Sequence, residues 1–99
     1  MIYGVGTDIV NISRIKKMKS LKSFSEKILS VNELKMSSIF DEDKLIRYLA
    51  KQFACKEALS KAFGTGIRKP ILFKELEILR DKKGKPYFNP LGDVKKTII

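Results

Sequence analysis

At 99 residues the chain has room for one domain and no second. Its 43% apolar and 32% charged residues form an ordinary globular balance and exclude a disordered chain. The net charge is +10, and without any His the chain cannot build a Ser-His-Asp triad, a Cys-His dyad or a His-ligated zinc site.

Ile2 to Val10 reads as a strand, interrupted by Gly4 and Gly6, where a bulge or a close backbone approach is expected. Asn11 or Ser13 then caps a short helix through Lys19. Ile12, Ile15 and Met18 recur on it at helical spacing, and Arg14, Lys16, Lys17 and Lys19 make its other side basic. A second helix covers Leu21 to Leu29, with Leu21, Phe24 and Ile28 as its apolar set. Ser30-Val31-Asn32-Glu33 is a capping-box pattern that starts another helical turn. Asp41-Glu42-Asp43 places three acids where the macrodipole of the longest helix favours them. That helix runs to about Phe63 on a stripe of Leu45, Tyr48, Leu49, Phe53, Leu59 and Phe63, whose spacing slips once. Gly64 and Gly66 stop it. Leu72 to Arg80 reads as a strand, Asp81 to Gly84 as a hairpin turn, and Lys85 to Asn89 as the partner strand, with Pro86 marking an edge. Val94 to Ile99 reads as the start of a further strand.

The single cysteine, Cys55, can form neither an intrachain disulfide nor a metal cluster, and it is expected to be a small buried residue in a reducing cytosol. No apolar run approaches the roughly 18 residues that span a bilayer. The segment from Met1 to Asp8 lacks the basic start of a signal peptide, so the protein is expected to stay in the cytoplasm. The positive charge asks for an anionic partner or serves solubility. Seventeen of the 21 basic residues are Lys, so arginine-based reading of DNA bases is not encouraged. The aromatic residues fall mostly on apolar stripes rather than among the lysines, which disfavours a nucleic-acid-binding module.

Gly4-Val5-Gly6-Thr7-Asp8-Ile9 lacks the third glycine of a dinucleotide-binding loop. Asp8 remains as a carboxylate in an apolar strand, either a turn acceptor or a ligand. Glu57 and Lys61 stand four apart on the long helix, which alone suggests a surface ion pair. Glu57 also borders the buried face, where it could meet Asp8 across a strand–helix interface. Two carboxylates without His or Cys suit a hard cation such as magnesium. Gly64-Thr65-Gly66 is a helix C-cap that could also let a phosphate approach the backbone.

Taken together, these segments resemble the holo-acyl-carrier-protein synthases, the short class of 4′-phosphopantetheinyl transferases. The resemblance is carried by Gly4 to Val10, Arg14-Ile15, Phe24, Ile28 to Ser30 with Glu33, the block from Phe53 to Ile67, Glu77-Ile78 and Gly84 to Tyr87. It implies a mixed α+β fold, with one long helix packed on a small antiparallel sheet, assembled as a homotrimer with coenzyme A in clefts between subunits. It implies transfer of phosphopantetheine from coenzyme A to a serine of an acidic apo acyl carrier protein, releasing adenosine 3′,5′-bisphosphate. By position, Asp8 and Glu57 would hold Mg2+, and Lys61 would neutralise phosphate charge, making Asp8, Glu57 and Lys61 the catalytic set. Gly64, Thr65, Gly66, Lys85 and Pro86 would lie against the nucleotide, and Arg14, Met18 and Phe24 would face the carrier. Neither nucleic acid nor a membrane span belongs to this reading.

The sequence departs from the family in three places. The family continues by about one more strand and turn, so residues 1–99 read as a single transferase domain without its C-terminal strand. Gln52 stands where Arg is common, removing a possible phosphate contact, and Cys55 where Ala is usual. The competing reading is a shortened relative that binds coenzyme A or carrier protein without transfer.

Overall fold

The computed structural model describes residues 11–63 and 72–92. The expected strand from Ile2 to Val10, the Gly64–Gly66 loop and the strand from Val94 to Ile99 lie outside the described residues. Residues 11–16 are helical (α1), and bonds from Lys17 N to Arg14 O and from Met18 N to Ile15 O tighten the exit. The expected helix through Lys19 therefore ends a turn early. Three helices follow: α2 (Leu21–Ile28), α3 (Val31–Ser37) and α4 (Glu42–Phe63). A 3-10 turn (Phe73–Glu75) leads into a hairpin of β1 (Leu76–Arg80) and β2 (Pro86–Pro90).

Local chemistry accounts for the boundaries. Ser20 caps α2 by accepting from Ser23 N, and Ser30 caps α3 in a complete capping box with Glu33. Asp41 Oδ1 accepts from Lys44 N at 2.8 Å, and Glu42 and Asp43 occupy the first turn of α4. In the hairpin, Asp81 Oδ1 accepts from both Lys83 N and Lys85 N, and Gly84 takes φ of +82°. The antiparallel register pairs Glu77 with Asn89 and Arg80 with Pro86.

Ile15, Ile28, Leu29, Ile46, Leu49 and Ala50 form the buried core, and Phe24, Phe53 and Phe73 stack along one side with ring centroids 5.8 and 5.5 Å apart. The long helix thus lies between α2 and the hairpin, in the expected α+β arrangement. Among the described residues no helix is long and apolar enough to cross a membrane.

Three expectations need correction. The strand begins at Leu76, not Leu72, because Glu75 N donates to Leu72 O and closes the 3-10 turn. Cys55 is exposed rather than buried. It lies beside Leu59, Ile78, Tyr87 and Phe88 in an open apolar groove of about 290 Å³ between α4 and the hairpin. Leu59, assigned to the core stripe, is half-buried in the same groove. Polar residues hold the buried face of α4 instead: Gln52 and Lys56 continue the line of Leu49, and Lys56 is wholly shielded from solvent.

Candidate active site

The part of α4 that carries the candidate catalytic residues begins where the core ends. Glu57 is half-buried and Lys61 exposed, one turn apart on the same stripe of the helix. The one ion pair among the described residues is Lys56–Glu33, so the Glu57–Lys61 pair that their spacing suggests does not form. Ser60 Oγ donates to the main-chain oxygen of Glu57 at 2.8 Å, and no described residue engages the Glu57 carboxylate. That carboxylate remains available as an oxygen donor, the type that magnesium takes. Among the described residues no group of three or more His, Cys, Asp or Glu side chains converges. A magnesium site would have Glu57 as its described protein ligand, with waters and substrate oxygens completing the shell. Asp8, Gly64, Thr65 and Gly66 lie outside the described residues.

The other candidates fall on two surfaces. Lys85 and Pro86 are exposed at the hairpin, where Lys85 leaves the turn and Pro86 opens β2. Arg14 is exposed on α1, whereas Met18 and Phe24 are half-buried and pack on the core. Phe24 therefore offers one edge at most, since its ring packs against Phe53. A cleft of about 370 Å³ between α1 and α4 has Ile12, Ile46 and Ala50 as apolar lining, with Lys16, Arg47 and Lys51 as cations and Asp43 as an anion.

Behind Glu57 lies a polar cluster that the sequence pattern did not reveal. Glu33 is fully buried and accepts four bonds: Ser30 N and Lys56 Nζ at Oε1, Gln52 Nε2 and Ile78 N at Oε2. Four bonds fill the acceptor sites of a carboxylate, so Glu33 has none left for a metal. Lys56 Nζ donates to Ile28 O, Glu33 Oε1 and Phe73 O. Three acceptors around one nitrogen call for the three protons of an ammonium group. Burial pulls Lys56 below its ordinary range, and the bond and charge of Glu33 oppose that shift. Glu77, also fully buried, accepts from Ser30 Oγ, Asn32 Nδ2 and Asn89 Nδ2. Burial alone would raise its carboxyl, but these bonds and the nearby Lys56 charge carry it below the ordinary 4.5. Burial, followed by the charge of Glu33, pushes Tyr48 up to about 12.

Gln52 belongs to this cluster and not to a phosphate site. Its side-chain nitrogen donates to Glu33 Oε2 at 2.7 Å and shares its second hydrogen between Tyr48 Oη and Ile78 O, at 3.2 and 3.3 Å. The sequence held a faint signal of the cluster. The slip in the apolar stripe of α4 falls where Lys56 takes a buried position, and the capping-box Glu33 precedes it by 23 residues.

Glu77 gives a pH dependence with a definite sign. A carboxyl held below its ordinary value in the folded state adds stability above about pH 4.5, and that stability is lost as pH falls. Wild type should unfold at a higher temperature than Glu77→Gln near neutrality, and the gap should shrink progressively as pH falls below 4.5. Thermal unfolding followed by circular dichroism across that range checks this; a gap that does not change with pH contradicts it.

Comparison with known proteins decides the family. Residues 4–99 match the 4′-phosphopantetheinyl transferase superfamily. The chain belongs to this superfamily. It is 47% identical over 88 residues to the holo-[acyl-carrier-protein] synthase of Bacillus subtilis (strain 168), covering 88% of this chain and 73% of that protein. It is 46% identical over 94 residues to the holo-[acyl-carrier-protein] synthase of Staphylococcus carnosus (strain TM300), covering 93% of this chain and 80% of that protein. The resemblance carried by the Phe53–Ile67 block is thereby borne out, and α4 is the element of the superfamily chain that presents Glu57 and Lys61.

Proposed function

We propose that this chain transfers the 4′-phosphopantetheine group of coenzyme A to a serine of an apo acyl carrier protein. One observation carries the reading: in a chain of this superfamily, α4 presents Glu57 and Lys61 one turn apart, and no described residue engages the Glu57 carboxylate. In the reaction the serine oxygen forms a bond to the phosphorus that bears the pantetheine arm. The pyrophosphate P–O bond breaks, and adenosine 3′,5′-bisphosphate leaves with the electron pair. Phosphoryl transfer of this kind needs in-line positioning and charge neutralisation more than covalent help. Mg2+ bound by Asp8 and Glu57 would supply part of that neutralisation at the pyrophosphate. Lys61, exposed one turn further along α4, would meet the charge that develops on the leaving group. Glu57 is the candidate base for the serine proton.

The Gly64–Gly66 segment with Lys85 and Pro86 would receive the nucleotide end, in a cleft completed by another subunit of a homotrimer. The apolar groove beside Cys55 and Tyr87 supports such a neighbour. An acidic carrier would dock across α1 and α2 through Arg14 and the exposed edges of Met18 and Phe24, steered by the excess of cations. The reaction would run in the cytoplasm, where the single cysteine fits a reducing environment.

Intact-mass analysis tests the proposal. Apo carrier protein incubated with this chain, coenzyme A and Mg2+ should gain the mass of one phosphopantetheine group. No gain, with coenzyme A still bound, would replace transfer by binding alone.

A further inference from the structure

We infer that the buried Glu33–Lys56 pair is a positioning device for the catalytic stripe of α4. The inference rests on the role proposed for Glu57 and Lys61. Lys56 immediately precedes Glu57, and its ammonium joins three separate parts of the chain. It meets the Ile28 carbonyl at the end of α2, the Glu33 carboxylate in the first turn of α3, and the Phe73 carbonyl at the start of the 3-10 turn. A cation at the Ile28 carbonyl also sits where the dipole of α2 favours it. The opposite oxygen of Glu33 holds Ile78 N of β1 and Gln52 of α4.

The long helix is therefore gripped at two points one turn apart, Gln52 and Lys56, by the same carboxylate. Two such points fix both the axial position of a helix and its rotation. Successive residues turn by about 100°, so the rotation set at Lys56 dictates where Glu57 points, and Lys61 follows one turn later. From residue 57 to residue 61 no side chain is buried. Lys56 is the last fully buried anchor of α4 before the stripe. Apolar packing would resist separation of the helix from its neighbours but would tolerate small rotations. Directed bonds to a saturated carboxylate do not, and a displacement of about 1 Å at a reacting group can cost about a hundredfold in rate.

The test compares wild type with Lys56→Met/Glu33→Gln, which removes both charges together and leaves no buried charge alone. Leu49→Ala serves as a control that weakens the same helix outside the pair, and Lys56→Gln/Glu33→Gln, which also removes both charges, is the second variant should the first double variant not fold. Amide hydrogen exchange and steady-state transfer are measured where all proteins are folded. In the double variant the amides of residues 57–61 should exchange about tenfold faster relative to those of residues 45–50. Its kcat should fall about a hundredfold, with the KM for carrier protein within about twofold of wild type. Leu49→Ala should show neither the local exchange change nor the kcat loss. Equal losses of kcat in the two variants, or unchanged exchange at residues 57–61, would overturn the inference. Wild-type transfer judges the proposed function by itself, and the exchange contrast judges the pair whether or not wild type transfers.

Discussion

Glu57→Ala is expected to lower kcat for phosphopantetheine transfer about a thousandfold without unfolding the protein. The fold should survive because Glu57 is half-buried and no described hydrogen bond or ion pair depends on its carboxylate. Alanine is also the best helix former, so the backbone of α4 loses nothing locally. The rate should fall because the substitution removes an oxygen donor for the cation and the candidate base together. General-base losses alone run to about 10²–10⁴-fold. Glu57→Gln separates the two roles in part, since an amide oxygen can still ligate weakly but cannot take a proton. Intact-mass progress curves at saturating coenzyme A and carrier check both variants. An Ala variant within about tenfold of wild type would remove Glu57 from the reaction.

The largest effect on stability is expected from Lys56→Met. That change leaves the Glu33 carboxylate fully buried with its cation gone, and it also strips the Ile28 and Phe73 carbonyls of a donor. Breaking a buried pair from one side costs about 3–5 kcal/mol. A domain holds only about 5–15 kcal/mol in total, so the single variant should lose a large share of its stability. Adding Glu33→Gln should restore part of the loss, because the buried charge then disappears. The comparison separates the cost of an orphaned charge from the net worth of the pair. Urea titrations of the single and double variants measure it. A single variant as stable as wild type would mean that water enters the cluster and screens Glu33.

Much of this architecture was legible from local chemistry. The Ser30–Glu33 capping box, the acids opening α4 and the Asp81–Gly84 turn each fix a boundary through neighbours a few residues away. The Phe53–Ile67 block likewise placed Glu57 and Lys61 on α4, and the superfamily match agrees with that placement. The failures share a different cause. Lys56 reads as a surface cation because its acceptors include main-chain oxygens 28 and 17 residues away, which no local pattern encodes. Nothing in the strand pattern marks Glu77 as buried, yet Ser30, Asn32 and Asn89 enclose it. Cys55 was assigned to the interior by residue type, but its side of α4 faces an open groove. Leu72 to Glu75 carries strand-like residues but turns as a 3-10 helix, bringing the Phe73 carbonyl to Lys56.

Glu33 also sets an order of events during synthesis. Its amide partner in β1, Ile78, lies 45 residues further along the chain, whereas Ser30 and Gln52 are already present when α4 is made. A nascent chain that has released only the helices can close the capping box and the Gln52 bond, but water must hold the place of Ile78 N on that carboxylate. The helices can then associate only loosely, and final packing waits until the first strand leaves the ribosome. One side chain thereby makes the first strand of the hairpin a condition for locking the helices made before it.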